Sequence, residues 1–250
     1  VHDLIWENIH LERIALAYDA LRETIAGDAR LLAYVQGKGV PVANGEDLRA
    51  YVEDYILRAG AQAILAGHLR GNEGHHQTAA MAVAVALDDV SERHPNSLDL
   101  VDWAYHGAGA TAHILINGLS RDGGGHESPN YNRIKFSFLR LARLAECLRA
   151  RHPEVLTAER CPDLLAHPKG RALFDHAIDI LVADCLYPDI GDNGGIAAPR
   201  RRLDAVKHAA MGHEFVEAFR RWGDPRYARA AVDLSTGEFH PAPLWEQFPL

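Results

Sequence analysis

The sequence predicts an all-α protein, and three observations carry that expectation. Apolar residues recur at three- and four-residue spacing through segments of roughly 20 residues. No run of β-branched residues alternates with polar ones for long enough to make a strand. The breaks between periodic segments are turn-forming clusters: GKGVPVANGED, HLRGNEG, SERHPNS, SRDGGGHESPN, YPDIGDNGG and RWGDP. Helices of that length on Gly-rich loops fit an antiparallel helical array, either a bundle or an (α/α) toroid. No fixed-period repeat is visible, which argues against a solenoid. The simplest organisation is one domain over residues 1–250.

The first helix is predicted over Leu4–Ile25, where Ile5, Ile9, Ile14, Leu16 and Leu21 fall at helical spacing. A second runs from Leu48 to Leu69 and a third, rich in Ala, from His76 to Leu87. The fourth spans Leu98–Leu119, the fifth about Asn130–Arg151, the sixth Pro162–Leu186 and the seventh Arg201–Trp222. Pro225–Leu234 makes a last short turn with Pro at a first helical position, where its missing N–H costs nothing. Small residues on every face of His76–Leu87 and Gly107–Gly118 predict helices enclosed by others, since an outer helix carries a clear polar face.

The bulk numbers narrow the function classes. With 48% hydrophobic and 24% charged residues the chain is too apolar for disorder. No stretch approaches the ~20 uninterrupted apolar residues that span a bilayer. A net charge of −8 provides no basic field for a nucleic-acid duplex, though an acidic polymer can still bind where basic residues gather in one groove. Cys147, Cys161 and Cys185 are too few and too irregular for a disulfide framework or a metal site, so buried thiols are expected. The opening VHDLIWENIH lacks the basic start and apolar core of a signal peptide. Because it begins with Val, the chain is expected to have lost a leader or to be a piece of a longer protein.

Three segments hold residues suited to chemistry. In GNEGHHQ, Asn72 reads as the N-cap of the helix that follows. Alternatively Asn72, His76 and Gln77 are neutral donors at a helix N-terminus, a setting that suits a carboxylate. In RDGGGHESPNYN, three consecutive glycines allow close backbone approach to a ligand, and Pro129 sets Tyr131 near the mouth of the next helix. The bland alternative, a polar loop capped by Ser128, leaves the crowding of Asp122, His126, Glu127 and Tyr131 unexplained. In YPDIGDNGG, Asp189 and Asp192 flank a Gly-rich turn that reads equally as a helix end and linker.

In that order and on helical segments, GNEGHHQTAAMAVAVALDD, DGGGHESPNYN and YPDIGDNGG resemble the heparinase II/III-like polysaccharide lyases. ERIALAYDAL near the start is similar to a helix of that family, so the likeness spreads over most of residues 11–230. The resemblance implies an (α/α) toroid of antiparallel hairpins and β-elimination at a uronic acid of an acidic polysaccharide. It implies that Tyr131 is the catalytic tyrosine, and that Asn72 and His76 lie against the substrate carboxylate. Glu127 and Asp122 then hold the loop. Gln77, His75, His126 and Arg133 join the substrate-binding set, with Arg70, Arg121 and Lys135 as further cations. No cofactor or metal is implied, and the setting expected is periplasmic or secreted. The family continues into a β-sandwich, whereas here the sequence ends at FPL soon after Trp245. The helical array is also short on its N-terminal side, so the toroid is expected to be incomplete.

The expected chemistry removes the C5 proton beside the uronate carboxylate and expels the C4 oxygen. Charge grows next to an existing anion, so neutral donors or a cation must take it up. Tyr131 serves as base if its pKa falls well below ~10, or as the acid at O4 with His75, His113 or His126 as base. Other readings remain. Asp88-Asp89-Val90-Ser91-Glu92 has the DDxxE form that holds Mg²⁺ and a diphosphate in helical terpenoid enzymes. Asp122 or Glu127 with Asp192 would serve an inverting glycoside hydrolase, which needs two carboxyls roughly 6.5–9.5 Å apart. A non-catalytic glycan-binding module is the third. His208, His213 and Glu214 do not make a zinc site, because a five-residue step puts the two rings on different helix faces.

Overall fold

The computed structural model describes residues 4–126, 137–180 and 212–231. Among them every element is helical, and the only strand-like pairing is an isolated bridge between Leu119 and Gly125. In chain order the helices are α1 (Leu4–Gly27), α2 (Ala29–Gly37), α3 (Gly45–Val52), α4 (Ala59–Leu65), α5 (His75–Leu87), α6 (Ser97–Tyr105), α7 (Thr111–Asn117), α8 (Ser137–Arg151), α9 (Pro168–Asp179), α10 (Gly212–Trp222) and α11 (Pro225–Ala231). A π-helical stretch, Glu53–Arg58, joins α3 to α4, and a 3₁₀ turn, Leu164–Ala166, precedes α9. No described helix is long and apolar enough to cross a membrane. The described residues fall into two compact units, one within 1–111 and 143–162, the other within 112–142 and 163–250.

The first unit is built around α5. Gln77 through Leu87 are all buried, so this helix is enclosed as its composition predicts. It packs along α1 and α6, while α3 lies against α1. Caps mark the helix starts. Asp28 Oδ1 accepts the N–H groups of Arg30 and Leu31 at 2.8 and 3.0 Å to start α2. Asn96 and Asp99 exchange side-chain and backbone bonds at 3.0 and 2.9 Å to start α6. Cys147 and Cys161 are buried free thiols, and burial pushes Cys147 up to about 11; Cys185 lies outside the described residues. Arg58 is buried on the π-helical stretch. It donates to the carbonyls of Arg93 and Pro95 at 3.0 and 2.5 Å and pairs with Asp89 at 2.5 Å, pinning the loop before α6.

The second unit packs α10 against α9 and α11. Phe174, Phe215, Trp222 and Tyr227 form its aromatic core, with ring centroids 5.2–6.2 Å apart. Pro168 occupies the first turn of α9 and Pro225 that of α11.

Several boundaries differ from the sequence expectation. The single helix expected over Leu98–Leu119 is two, α6 and α7, broken across residues 106–110. Gly109 sits so close to α6 that a Cβ would lie 2.7 Å from the Ala104 Cα, and Ala110 takes a left-handed φ of 45°. Residues 113, 116 and 117 of α7 are exposed, so this helix is not the enclosed one expected for Gly107–Gly118. Helix α2 is absent from the sequence expectation: directly after Gly27 the Asp28 side chain caps a new helix. The segment expected over Pro162–Leu186 opens as a 3₁₀ turn before α9. For Asn130–Arg151 and Arg201–Trp222 the described parts are α8 and α10.

Candidate functional site

The turn before α5 is held at several points. The fully buried Asn8 on α1 donates from Nδ2 to the Arg70 carbonyl at 2.7 Å. A Cβ on Gly71 would lie 2.3 Å from that same nitrogen, so a side chain there would push the anchor away. Gly74 adopts φ +92°, a left-handed value that glycine takes without strain, and caps α5. The Gln77 Oε1 accepts the Gly74 N–H at 2.8 Å and its Nε2 donates to the Gly109 carbonyl at 2.7 Å. Thr78 Oγ1 donates to the Gly74 carbonyl at 2.7 Å.

This geometry reassigns two of the expected donors. Asn72 is not the N-cap: its backbone carbonyl accepts the His75 N–H at 3.0 Å and its side chain is exposed. Gln77 is completely buried and both ends of its amide face backbone, making it a strut between the α5 turn and the loop after α6. His75 and His76 are half-buried at the first turn. Burial lowers the His76 pKa, against a hydrogen bond with the Asn72 backbone that works the other way, so the ring is neutral near neutral pH. The His76 ring meets Trp103 of α6 edge-on, with centroids 5.6 Å apart and planes at 67°.

In the second unit the Gly-rich segment is pinned to α9. Ser120 N–H donates to the Gly124 carbonyl at 2.7 Å, and Asp122 Oδ1 accepts the Gly124 N–H at 3.0 Å. Gly123, at φ +87°, lies so close to α9 that a Cβ would sit 2.0 Å from the Ala172 carbonyl oxygen. Gly124 lies under the His176 ring, where a Cβ would be 2.9 Å from Cε1. The His176 Nδ1 is 3.6 Å from Asp122 Oδ2, and Lys169 Nζ donates to the Ile116 and Leu119 carbonyls at the end of α7. Asp122 and His126 are exposed. His113 is exposed on α7 and its Nδ1 accepts from Asn117 at 2.8 Å.

Glu127, Tyr131, Arg133, Lys135, Asp189 and Asp192 lie outside the described residues. Of the expected set, the fold brings together Asn72, His75, His76 and Gln77 in one unit and places Asp122 and His126 in the other. The acidic DDxxE stretch is engaged with basic partners. Asp88 meets His152 at 2.8 Å and Arg151 at 3.6 Å, while Asp89 pairs with Arg58. Among the described residues no three His, Cys, Asp or Glu side chains converge as a metal site. Sequence reasoning missed Asn8, Trp103 and His176. Each is an ordinary helical residue by pattern, and its role comes from tertiary contact.

No family model, curated protein or solved structure matches this chain.

Proposed function

We propose that this chain is the helical part of a polysaccharide lyase that cleaves a uronate-containing acidic glycan by β-elimination, its helices arranged as hairpins of an (α/α) toroid. The motif order GNEGHHQ, DGGGHESPNYN and YPDIGDNGG supports this reading. The observation that carries it is the corner at α5: an exposed Asn72 beside a neutral, half-buried His76, on a turn whose backbone is clamped by Asn8, Gln77 and Thr78. Neutral donors held in place suit a carboxylate that must accept more electron density as C5 loses its proton, because they need no reorganisation as the charge develops.

In the proposed reaction the Asn72 amide donates to the uronate carboxylate, and His76 gives its one N–H to the same carboxylate in place of the Asn72 carbonyl. A base takes the C5 proton, the electron pair forms the C4–C5 double bond, and the O4 leaving group departs with a proton. Tyr131 exchanges one of these two protons. Asp122 orders the Gly-rich loop that leads towards Tyr131 through its bond to the Gly124 N–H.

The test incubates the full chain with heparosan, chondroitin, alginate and polygalacturonate and follows the ultraviolet absorbance of the conjugated unsaturated uronate. A rise that Tyr131→Phe lowers by roughly 10²-fold or more is expected, the size of a lost general acid or base. New reducing ends without that absorbance would identify a hydrolase instead.

A further inference from the structure

We infer that Trp103 is the sugar-stacking wall of the Asn72–His76 corner, giving the pyranose ring an apolar face while its carboxylate meets the two neutral donors; this rests on the function proposed above. Trp103 lies on the partly exposed side of α6, with Asp99, Asp102 and His106, rather than among the buried residues Leu100, Val101 and Ala104. An indole left half-open beside an imidazole, at 5.6 Å and 67°, is held in one orientation by that contact and still presents surface to solvent.

The surroundings keep it there. The Gln77 amide joins the α5 turn to Gly109, so the segments carrying His76 and Trp103 are tied by buried hydrogen bonds at 2.8 and 2.7 Å. At the end of α6 the His106 Nε2 is 2.7 Å from the Arg160 carbonyl. The neighbouring acid, Asp102, is engaged by the Arg160 guanidinium through two bonds at 2.7 and 2.6 Å. That pairing offsets the negative charge next to Trp103, which would otherwise repel an anionic glycan. The axial C–H face of a pyranose is apolar while its rim is polar. A rigid aromatic surface beside polar donors matches both, as in ligand sites where apolar walls bind and a few polar groups orient.

The experiment titrates uronate tetrasaccharides prepared from heparosan, chondroitin, alginate and polygalacturonate into the full chain by calorimetry. Wild type is compared with Trp103→Leu and Trp103→Phe, and thermal unfolding is read alongside. Trp103→Leu keeps apolar bulk against His76 but offers no flat face; it is expected to bind about tenfold more weakly, the loss of one modest apolar contact area. Trp103→Phe is expected to stay within about threefold of wild type, because a smaller aromatic face remains. If wild type binds a uronate tetrasaccharide and Trp103→Leu, folded, binds it equally well, the role of Trp103 is overturned while the proposed function stands. If wild type binds none of the four, the proposed function falls and this inference with it.

Discussion

Replacing Gln77 tests whether it is a strut or a free donor. Gln77 is fully buried, and its amide accepts the Gly74 N–H at 2.8 Å and donates to the Gly109 carbonyl at 2.7 Å. Gly74 and Gly109 are themselves buried, so no solvent can take over either bond. Gln77→Leu keeps most of the volume and strands both backbone groups. A stranded buried partner costs about 1–3 kcal/mol, so the pair comes to about 2–6 kcal/mol. That is a large share of the total stability of about 5–15 kcal/mol usual for a folded protein. Gln77→Glu sharpens the test. Its carboxylate still accepts from Gly74, but its second oxygen faces the Gly109 carbonyl and must carry a proton to bond there. The folded pKa of that Glu is then raised above its unfolded value of about 4.3, so the folded state binds the extra proton more tightly. The variant is weakest above the raised folded pKa and recovers as pH falls through it; the amide of the native residue has no such dependence. Urea denaturation followed by far-ultraviolet circular dichroism, at about pH 7 and about pH 5, reads both effects. A Gln77→Leu protein within about 0.5 kcal/mol of wild type would refute the strut. So would a Gln77→Glu deficit that does not shrink on acidification.

Two further stability predictions come from other contacts. Arg58→Met removes the cation that pairs with Asp89 and donates to the Arg93 and Pro95 carbonyls, and should cost about 3 kcal/mol or more by denaturant titration. Burial raises the Asp89 pKa, but hydrogen bonds from Ser91 and Arg58 outweigh it and hold the carboxyl below its ordinary value. The stability this contributes is complete above about pH 4 and is lost as pH falls through the folded value, so the gap between Arg58→Met and wild type should narrow in acid. Gly39→Ala and Gly123→Ala both force a side chain to positive φ, but only Gly123 meets a wall, the Ala172 carbonyl. Thermal unfolding should show a loss of about 1–2 kcal/mol for the first and about 2–5 kcal/mol for the second.

The all-α class and the enclosed helix at Gln77–Leu87 were legible in the sequence because both rest on local pattern. The apolar period of Leu4–Ile25 and the Ala-rich run of α5 need no partner to be read. The break between α6 and α7 was not legible. Gly107 and Gly109 inside an apolar period are compatible with a weak helix, and the fit of Gly109 against the Ala104 backbone exists only once the chain has turned. Helix α2 was hidden for the opposite reason: Gly27 is a strong local stop, and one carboxylate at Asp28 restarts the helix through two hydrogen bonds. At the candidate corner the residue types were legible and their division of labour was not. Gln77 and Asn72 are both amides near a helix start, and only the placement of Gly109 and Asn8 sends one inward and leaves the other exposed.

The two Gly-rich segments, 71–74 and 123–125, share a physical solution. Glycine lets each backbone turn sharply or lie flat on a neighbour, but it costs more order than any other residue. In both places polar side chains, from adjoining helices and in one case from the segment itself, supply the missing order. Asn8, Gln77 and Thr78 bind backbone atoms of residues 70–74, and Lys169 and Asp122 bind those of residues 116–124. Gly71 and Gly123 could not carry side chains without displacing Asn8 or the Ala172 carbonyl, so the fit is mutual. A loop fixed in this way keeps its neighbouring donors in place before a ligand arrives, which is what charge stabilisation without reorganisation requires. Ordinary surface turns have no such need, and buried amides at 0% exposure are a costly way to hold them. The bracing of the α5 turn by Asn8 and Gln77, more than any single histidine, is therefore the feature on which the proposed recognition at this corner rests.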